Sequence, residues 1–446
     1  MISRFVLLFF LLPFFSGEGN KIYRETALKA EKWISSSSVI TNKGKTWLQV
    51  PADSVWRNYP ADSFPKDIYS GTSGVVLFYL ELYNSTSDKT YLAEAESGAQ
   101  FLINTLDNKV YNKDSVGLYT GLAGIGFTLD KVFLASNKKI YRDNALKCIT
   151  LLEKSAQQKG NGVEWGGITD IIYGGAGIGE FLLYADEKME DKAALPLAKK
   201  IADRLLESSV PDSSGGVKWP MNPEEIAKPR FMPNFSHGTA GVCYFLASMY
   251  EKTKEKKYLD AAMAGMKTLE RCTSPDGLIF HHEPDKKDLF YLGWCHGPAG
   301  TARLYYKFYQ ITKEEKWMDK IKLAAKSMMN CGLPEKQTPG YWNNVSQCCG
   351  IASTAGFFLD LYDITKSKEY LDVSKRAAKI LIDRASEEKG GLKWTQAEHR
   401  IKPDFLQAQT SYMQGGAGIG VLLLHLDDFE NGKKPFIMLP DNPFSY

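Results

Sequence analysis

Six side chains in this sequence of 446 residues are of types and spacings that could do chemistry together: Cys295, Cys348, Cys349, His237, His296 and Asp170. Cys295 lies in Gly293-Trp-Cys-His-Gly-Pro-Ala-Gly300, and the other two thiols lie in Cys348-Cys349-Gly350. Three thiolates in a tetrahedral arrangement suit zinc. Three protein ligands leave the fourth position open, which is the arrangement of a catalytic rather than a closed structural ion. Two other arrangements use the same residues: a vicinal disulfide between Cys348 and Cys349, or an ion on Cys295 and Cys348 with His296 as third ligand. His237 suits a general acid or base, the competing role being a satisfied core histidine, and His296, beside Cys295, is a further catalytic candidate. Asp170 could orient His237, exchange protons itself, or cap the loop that leads into a helix.

These residues share a context. Gly-x-x-Gly followed by an apolar run recurs at Gly71–Gly74, Gly121–Gly124, Gly174–Gly177, Gly238–Gly241, Gly297–Gly300 and Gly415–Gly418, with a degenerate copy from Gly350 to Ser353. Successive starts lie roughly 50 to 65 residues apart, the spacing of helical-pair repeats. Immediately before the first glycine stand Ser70, Thr120, Tyr173, His237, His296, Cys349 and Gln414. One position earlier stand Tyr69, Tyr119, Ile172, Ser236, Cys295, Cys348 and Met413. The reactive types fall in the fourth to sixth repeats, and Asp170, four residues before Gly174, adds the third. If the helices all start at one end of the fold, these groups converge there.

The elements that must position them alternate in character. Amphipathic helices with the 3.6-residue period are expected near 20–38, 88–107, 138–157, 191–208, 255–273, 314–331 and 367–387. Each carries charges on one face, as an outer, half-solvated helix should. The helices that open on Gly-x-x-Gly are apolar nearly all round, as in GVVLFYLELY from Gly74 and GIGVLLLHL from Gly418, and should be buried on most sides. Glycine in their first turn admits close backbone approach. Seven outer and seven inner helices predict an all-α (α/α)7 toroid, a double ring, rather than an open solenoid with polar capping repeats.

Length alone would allow two or three domains, but the repeat argues for one closed unit spanning residues 20–446. A net charge of +3 is too balanced to point to nucleic acid or to an anionic membrane surface. Residues 1–19 differ: Met1-Ile-Ser-Arg4 is followed by an apolar run from Phe5 to Phe15, the layout of a signal peptide and too short to span a bilayer stably. The expected location is therefore extracytoplasmic, with no stable membrane insertion once the leader is removed. An exported chain with seven cysteines would ordinarily be read as disulfide-bonded. Cys148, Cys243 and Cys272 instead sit within helical patterns as small core residues, and the other motif cysteines favour metal ligation. Asn84-Ser-Thr, Asn234-Phe-Ser and Asn344-Val-Ser have the form of glycosylation sequons, the last two bordering the proposed site.

Ser236-His237-Gly238, Trp294-Cys295-His296-Gly297 and Cys348-Cys349-Gly350, set on seven Gly-x-x-Gly repeats, make the chain resemble the lanthionine synthetase C-like family, bacterial lanthipeptide cyclases and their eukaryotic LanC-like relatives. The resemblance covers essentially all of the chain after the leader. It implies Cys295 and Cys348 as the first two zinc ligands, His237 as the acid/base histidine and Asp170 as the active-site aspartate. The family's third ligand is usually histidine in Cys-His-Gly, and here Cys349 stands in that place. Three thiolates give a zinc site a formal charge of −1 instead of 0, which weakens the ion as a Lewis acid and makes its bound thiolate more nucleophilic.

The reaction the resemblance implies is addition of a cysteine thiol, or of a small thiol such as glutathione, to dehydroalanine or dehydrobutyrine in a peptide, giving a thioether. The competing functions are a zinc-containing toroid that binds peptide or thiol without turnover, and a glycan-active (α/α) toroid enzyme. The latter would need two carboxylates across its cleft, and the motif positions offer Asp170 alone.

Overall fold

A computed structural model describes residues 21–51, 60–221, 230–282 and 289–444. The predicted leader lies outside the described residues. Among the described residues, fourteen α-helices alternate between two rings. The outer ring holds α1 (Ile22–Ser36), α3 (Lys89–Thr105), α5 (Lys139–Ser155), α7 (Ala194–Ser208), α9 (Lys256–Arg271), α11 (Lys316–Asn330) and α13 (Lys368–Arg384). The inner ring holds α2 (Thr72–Thr86), α4 (Leu122–Ser136), α6 (Gly175–Tyr184), α8 (Thr239–Thr253), α10 (Pro298–Thr312), α12 (Ile351–Thr365) and α14 (Gly416–Glu430). Each inner helix packs on its inner neighbours, and α14 packs on α2, so the toroid closes. The closing pair is made by the two ends of the chain, because α1 is the outer partner of α14.

Burial follows the composition that each helix carries. On α9, Tyr258, Ala262, Gly265, Met266 and Leu269 are buried while the lysine-bearing face is solvated. On α2 the run Thr72 to Leu82 is buried on every side. Five of the inner helices turn sharply into their outer partners through a residue in the left-handed conformation: Ser87, Asn137, Lys254, Lys313 and Lys366, with φ between 57° and 61°. This closes the last helical turn against a carbonyl of its own helix, as in Tyr250 O accepting from Lys254 N. At α6 the turn is wider, a π-helical segment over Ala185–Met189. Among the described residues, five two-stranded hairpins lie on the loops at the other end of the rings.

The glycine motif acts through space, not through backbone angle. A Cβ on Gly300 would lie 1.9 Å from Trp294 O in its own leading loop and 2.8 Å from Phe235 Cβ of the preceding repeat. Loop, helix and neighbouring repeat therefore meet at a point that no side chain can share. The close approach predicted from sequence is thus made both to the loop six residues upstream and to the adjacent repeat.

The loops ahead of the inner helices are joined by a closed circuit of backbone hydrogen bonds. Tyr69 N donates to Tyr119 O, Tyr119 N to Ile172 O, Ile171 N to Ser236 O and Ser236 N to Cys295 O. The circuit continues with Cys295 N to Cys348 O, Cys348 N to Met413 O, and Met413 N back to Tyr69 O. Each bond is made at the residue two places before a repeat's first glycine, or its neighbour. The ring that tethers the repeats is thus the ring that places Cys295 and Cys348.

Residues 431–444 run back into the toroid from the opposite end. Glu81, fully buried, accepts hydrogen bonds from Phe436 N at 3.0 Å and Ile437 N at 2.6 Å. Farther along, the buried carboxylate of Asp441 meets Tyr119 Oη at 3.0 Å and Arg303 Nη1 at 2.7 Å. Tyr119 in turn packs on Trp294, the neighbour of Cys295, with ring centroids 4.9 Å apart. The tail thereby braces the floor beneath the sulfur-bearing loop.

Candidate active site

The three sulfurs converge. Cys295 Sγ lies 2.7 Å from Cys349 Sγ, Cys349 Sγ lies 3.3 Å from Cys348 Sγ, and all three fall within 4.8 Å of one another. Cys295 and Cys348 are buried and Cys349 is half-buried. None of the seven cysteines is in a disulfide, so the vicinal bond considered for Cys348–Cys349 is not formed. Sulfurs 2.3 Å from a tetrahedral zinc stand about 3.8 Å apart, so the trio need spread by only about 1 Å at most to hold one. Its donor set is wholly sulfur, and His296 is not part of the cluster. The residues present fit zinc. Burial pushes the Cys295 thiol up, while hydrogen bonds from Cys295 and Cys349, helped by Tyr69, hold Cys348 well below the ordinary thiol range.

His237 and Asp170 form a pair beside this cluster. His237 Nδ1 lies 2.7 Å from Asp170 Oδ2, and Asp170 is wholly buried. Asp170 Oδ1 accepts from the backbone amides of Tyr173 at 2.7 Å and Gly174 at 2.9 Å. Of the three roles weighed for Asp170, two correspond to contacts made here, the loop cap by Oδ1 and the bond to His237 by Oδ2. Burial works against charge on His237, but the bond and charge of Asp170, with the Cys348 sulfur adding to them, outweigh it and hold the imidazole above its ordinary value. Tyr173 stacks on the ring with centroids 6.1 Å apart.

His296 is held differently. Asn234 donates through Nδ2 to Phe280 O and His296 O, which fixes its amide and leaves Oδ1 as an acceptor 3.0 Å from His296 Nδ1. His296 therefore carries its proton on Nδ1. Burial and the neighbouring imidazoles of His281, His237 and His282 push its pKa well below the usual value, so the ring is neutral and Nε2 is its acceptor nitrogen. Its ring lies 5.7 Å from His237 and 4.5 Å from His281. The six residues singled out in the sequence are thus brought to one end of the toroid.

Other groups there were not assigned a role from sequence: Tyr69 on Cys348, Gln414 on Tyr69, Asn234 on His296, and His281 beside it. For one of them, Asn234, a positional signal existed. Asn234 stands four residues before Gly238 as Asp170 stands four before Gly174, and Asp67 stands four before Gly71. Asp67 caps its loop through Ser70 N at 2.7 Å, and burial raises its carboxyl. Tyr69 and Gln414 occupy motif positions, but neither type is reactive by itself. The sequon residues Asn234 and Asn344 are both fully buried and hydrogen-bonded to backbone carbonyls, which leaves no room for a glycan on the folded chain.

A closed ring of seven inner helices, with a sulfur cluster able to hold a metal and a carboxylate-held imidazole at one end, defines an (α/α)7 toroid with a metal-capable centre. The model of the lanthionine synthetase C-like protein family matches residues 62–439, and the chain belongs to that family. A glutathione S-transferase LANCL1 from Danio rerio is 23% identical over 318 residues, covering 69% of this chain and 73% of the relative. Among solved structures, nisin cyclase is similar with a TM-score of 0.65 at 16% identity, over 93% of this chain and 95% of its own. A D-mannose isomerase gives a TM-score of 0.52 at 14% identity, over 91% and 97% of the two chains. At these identities the structural likenesses establish the fold. No helix among the described residues is long and apolar enough to cross a membrane.

Proposed function

We propose that this chain is a zinc-dependent thioether-forming enzyme that adds a thiol, from a peptide cysteine or from glutathione, to dehydroalanine or dehydrobutyrine. The observation that carries this reading is the placement of the three-sulfur cluster beside His237 as held by Asp170. Zinc held by Cys295, Cys348 and Cys349 would supply the Lewis acidity that lets a substrate thiol lose its proton near neutral pH. The new S–C bond forms at the β-carbon as the C=C bond becomes single, and the α-carbon must then gain a proton. With Nδ1 committed to Asp170, His237 handles that proton at Nε2, and its raised pKa favours the donor form. His296, neutral and protonated on Nδ1, offers Nε2 as an acceptor to the incoming thiol or to a substrate amide.

Membership of the family and the peptide-modifying name of nisin cyclase support a peptide substrate, and the name of the Danio rerio relative supports glutathione as thiol donor. The predicted leader would put this chemistry outside the cytoplasm. A glycan-active toroid would leave the converging sulfurs without a role. The test is incubation of zinc-loaded protein with a dehydroalanine peptide, with and without glutathione, read by mass and by loss of thiol alkylation. Thioether formation faster than in buffer, and absent in Cys295→Ala, supports the reading. A fully zinc-loaded protein that gives no acceleration with either thiol source would leave a binding toroid instead.

A further inference from the structure

Tyr69 Oη donates to Cys348 Sγ at 3.3 Å. Among the described residues, the other hydrogen bonds to the three sulfurs come from the sulfurs themselves. The direction of this bond is fixed by a chain of side chains behind it. Val345 N donates to Gln396 Oε1 at 2.9 Å, which orients that amide. Gln396 Nε2 then donates to Gln414 Oε1 at 3.1 Å and Gln414 O at 2.7 Å, which orients the second amide. Gln414 Nε2 donates to Tyr69 Oη at 2.7 Å, so the phenol's own proton is directed to sulfur. Gln396 and Gln414 are both buried, and the Tyr69 backbone is held on both sides by the circuit that joins the repeats.

We propose that Tyr69 is a positioning residue of the sulfur centre: its hydroxyl, aimed by Gln414, fixes Cys348 Sγ and draws negative charge from it. The proposal rests on the reading that the three sulfurs hold a metal. A buried centre of three thiolates around a divalent ion carries excess negative charge, and hydrogen bonds to ligand sulfur are one of the means by which proteins offset it. Tyr69 and Gln414 come from the first and seventh repeats, so the bond to Cys348 in the sixth exists only when the ring is closed. Closure of the toroid and completion of the centre are thereby linked.

The experiment loads the full-length protein with cobalt(II) and records the sulfur-to-cobalt charge-transfer bands together with retention of the ion against a chelator. Tyr69→Phe removes the hydroxyl and keeps the ring. Losing a donor raises the energy of the sulfur lone pairs, so the bands should move to longer wavelength. Ion affinity should fall by about tenfold, the lower end of the effect of removing outer-shell partners. Gln414→Leu frees the phenol without removing it, and should give a smaller shift in the same direction even if Tyr69→Phe folds poorly. Tyr341→Phe, which removes a buried hydroxyl bonded to Thr354, is the control and should leave the bands unmoved. Wild-type protein that shows no charge-transfer bands would overturn the metal reading itself. Bands identical in wild type, Tyr69→Phe and Gln414→Leu would overturn the role of Tyr69 alone, as would an equal shift in Tyr341→Phe.

Discussion

Asp170 divides its carboxylate between two tasks, holding His237 Nδ1 with Oδ2 at 2.7 Å while Oδ1 ties down the amides of Tyr173 and Gly174. The loop that begins α6 and the imidazole at the start of α8 are therefore set by one side chain. Asp170→Asn can still accept from both amides, but it presents an N–H₂ to His237 and forces the opposite tautomer. The raised pKa of His237 means that the pair stabilises the fold below the ordinary value of 6.5 and loses that contribution as pH rises through the raised one. Asp170→Asn should lack this dependence, and its fall of activity with rising pH should begin at lower pH than in wild type. A pH–rate profile alongside thermal melts at two pH values checks both.

His237→Gln should lower thioether formation by about 10²–10⁴-fold, the usual contribution of a general acid or base. Metal content should be unchanged, because His237 is outside the sulfur cluster. Single-turnover rates with metal analysis on the same sample make the comparison.

Asp441→Ala removes the carboxylate that lies 2.7 Å from the largely buried Arg303 guanidinium. Breaking a buried ion pair from one side costs roughly 3–5 kcal/mol. Denaturant unfolding should show a loss of that size. Because Asp441 also bonds Tyr119 beneath Trp294, deletion of the tail from residue 435 onward should loosen the site loop as well. Faster hydrogen exchange at Trp294 and Cys295 would report it.

Much of this architecture was legible because repetition amplifies a weak signal. One Gly-x-x-Gly says little, but seven copies ahead of apolar runs define the inner ring. The outer helices were legible from burial periodicity, as on α9, where the apolar face recurs every three to four residues. The sulfur cluster could be read because Cys295 and Cys348 hold equivalent places in adjacent repeats. What stayed hidden depends on long-range pairing without a local pattern. Asp441 sits 322 residues from Tyr119, in a tail whose composition does not mark it as core. Tyr69 carries no reactive type, and its meaning comes only from the ring closing through Gln414.

The measurement that bears most directly on the central claim is metal stoichiometry with free-thiol counting, on wild type and on Cys295→Ala and Cys349→Ala. The expected result is one zinc per wild-type chain, none retained in either variant, and all seven thiols of the denatured wild type titratable. Absence of zinc, with Cys348 and Cys349 recovered as an oxidised pair, would contradict the account and leave the toroid without a thiol-activating centre.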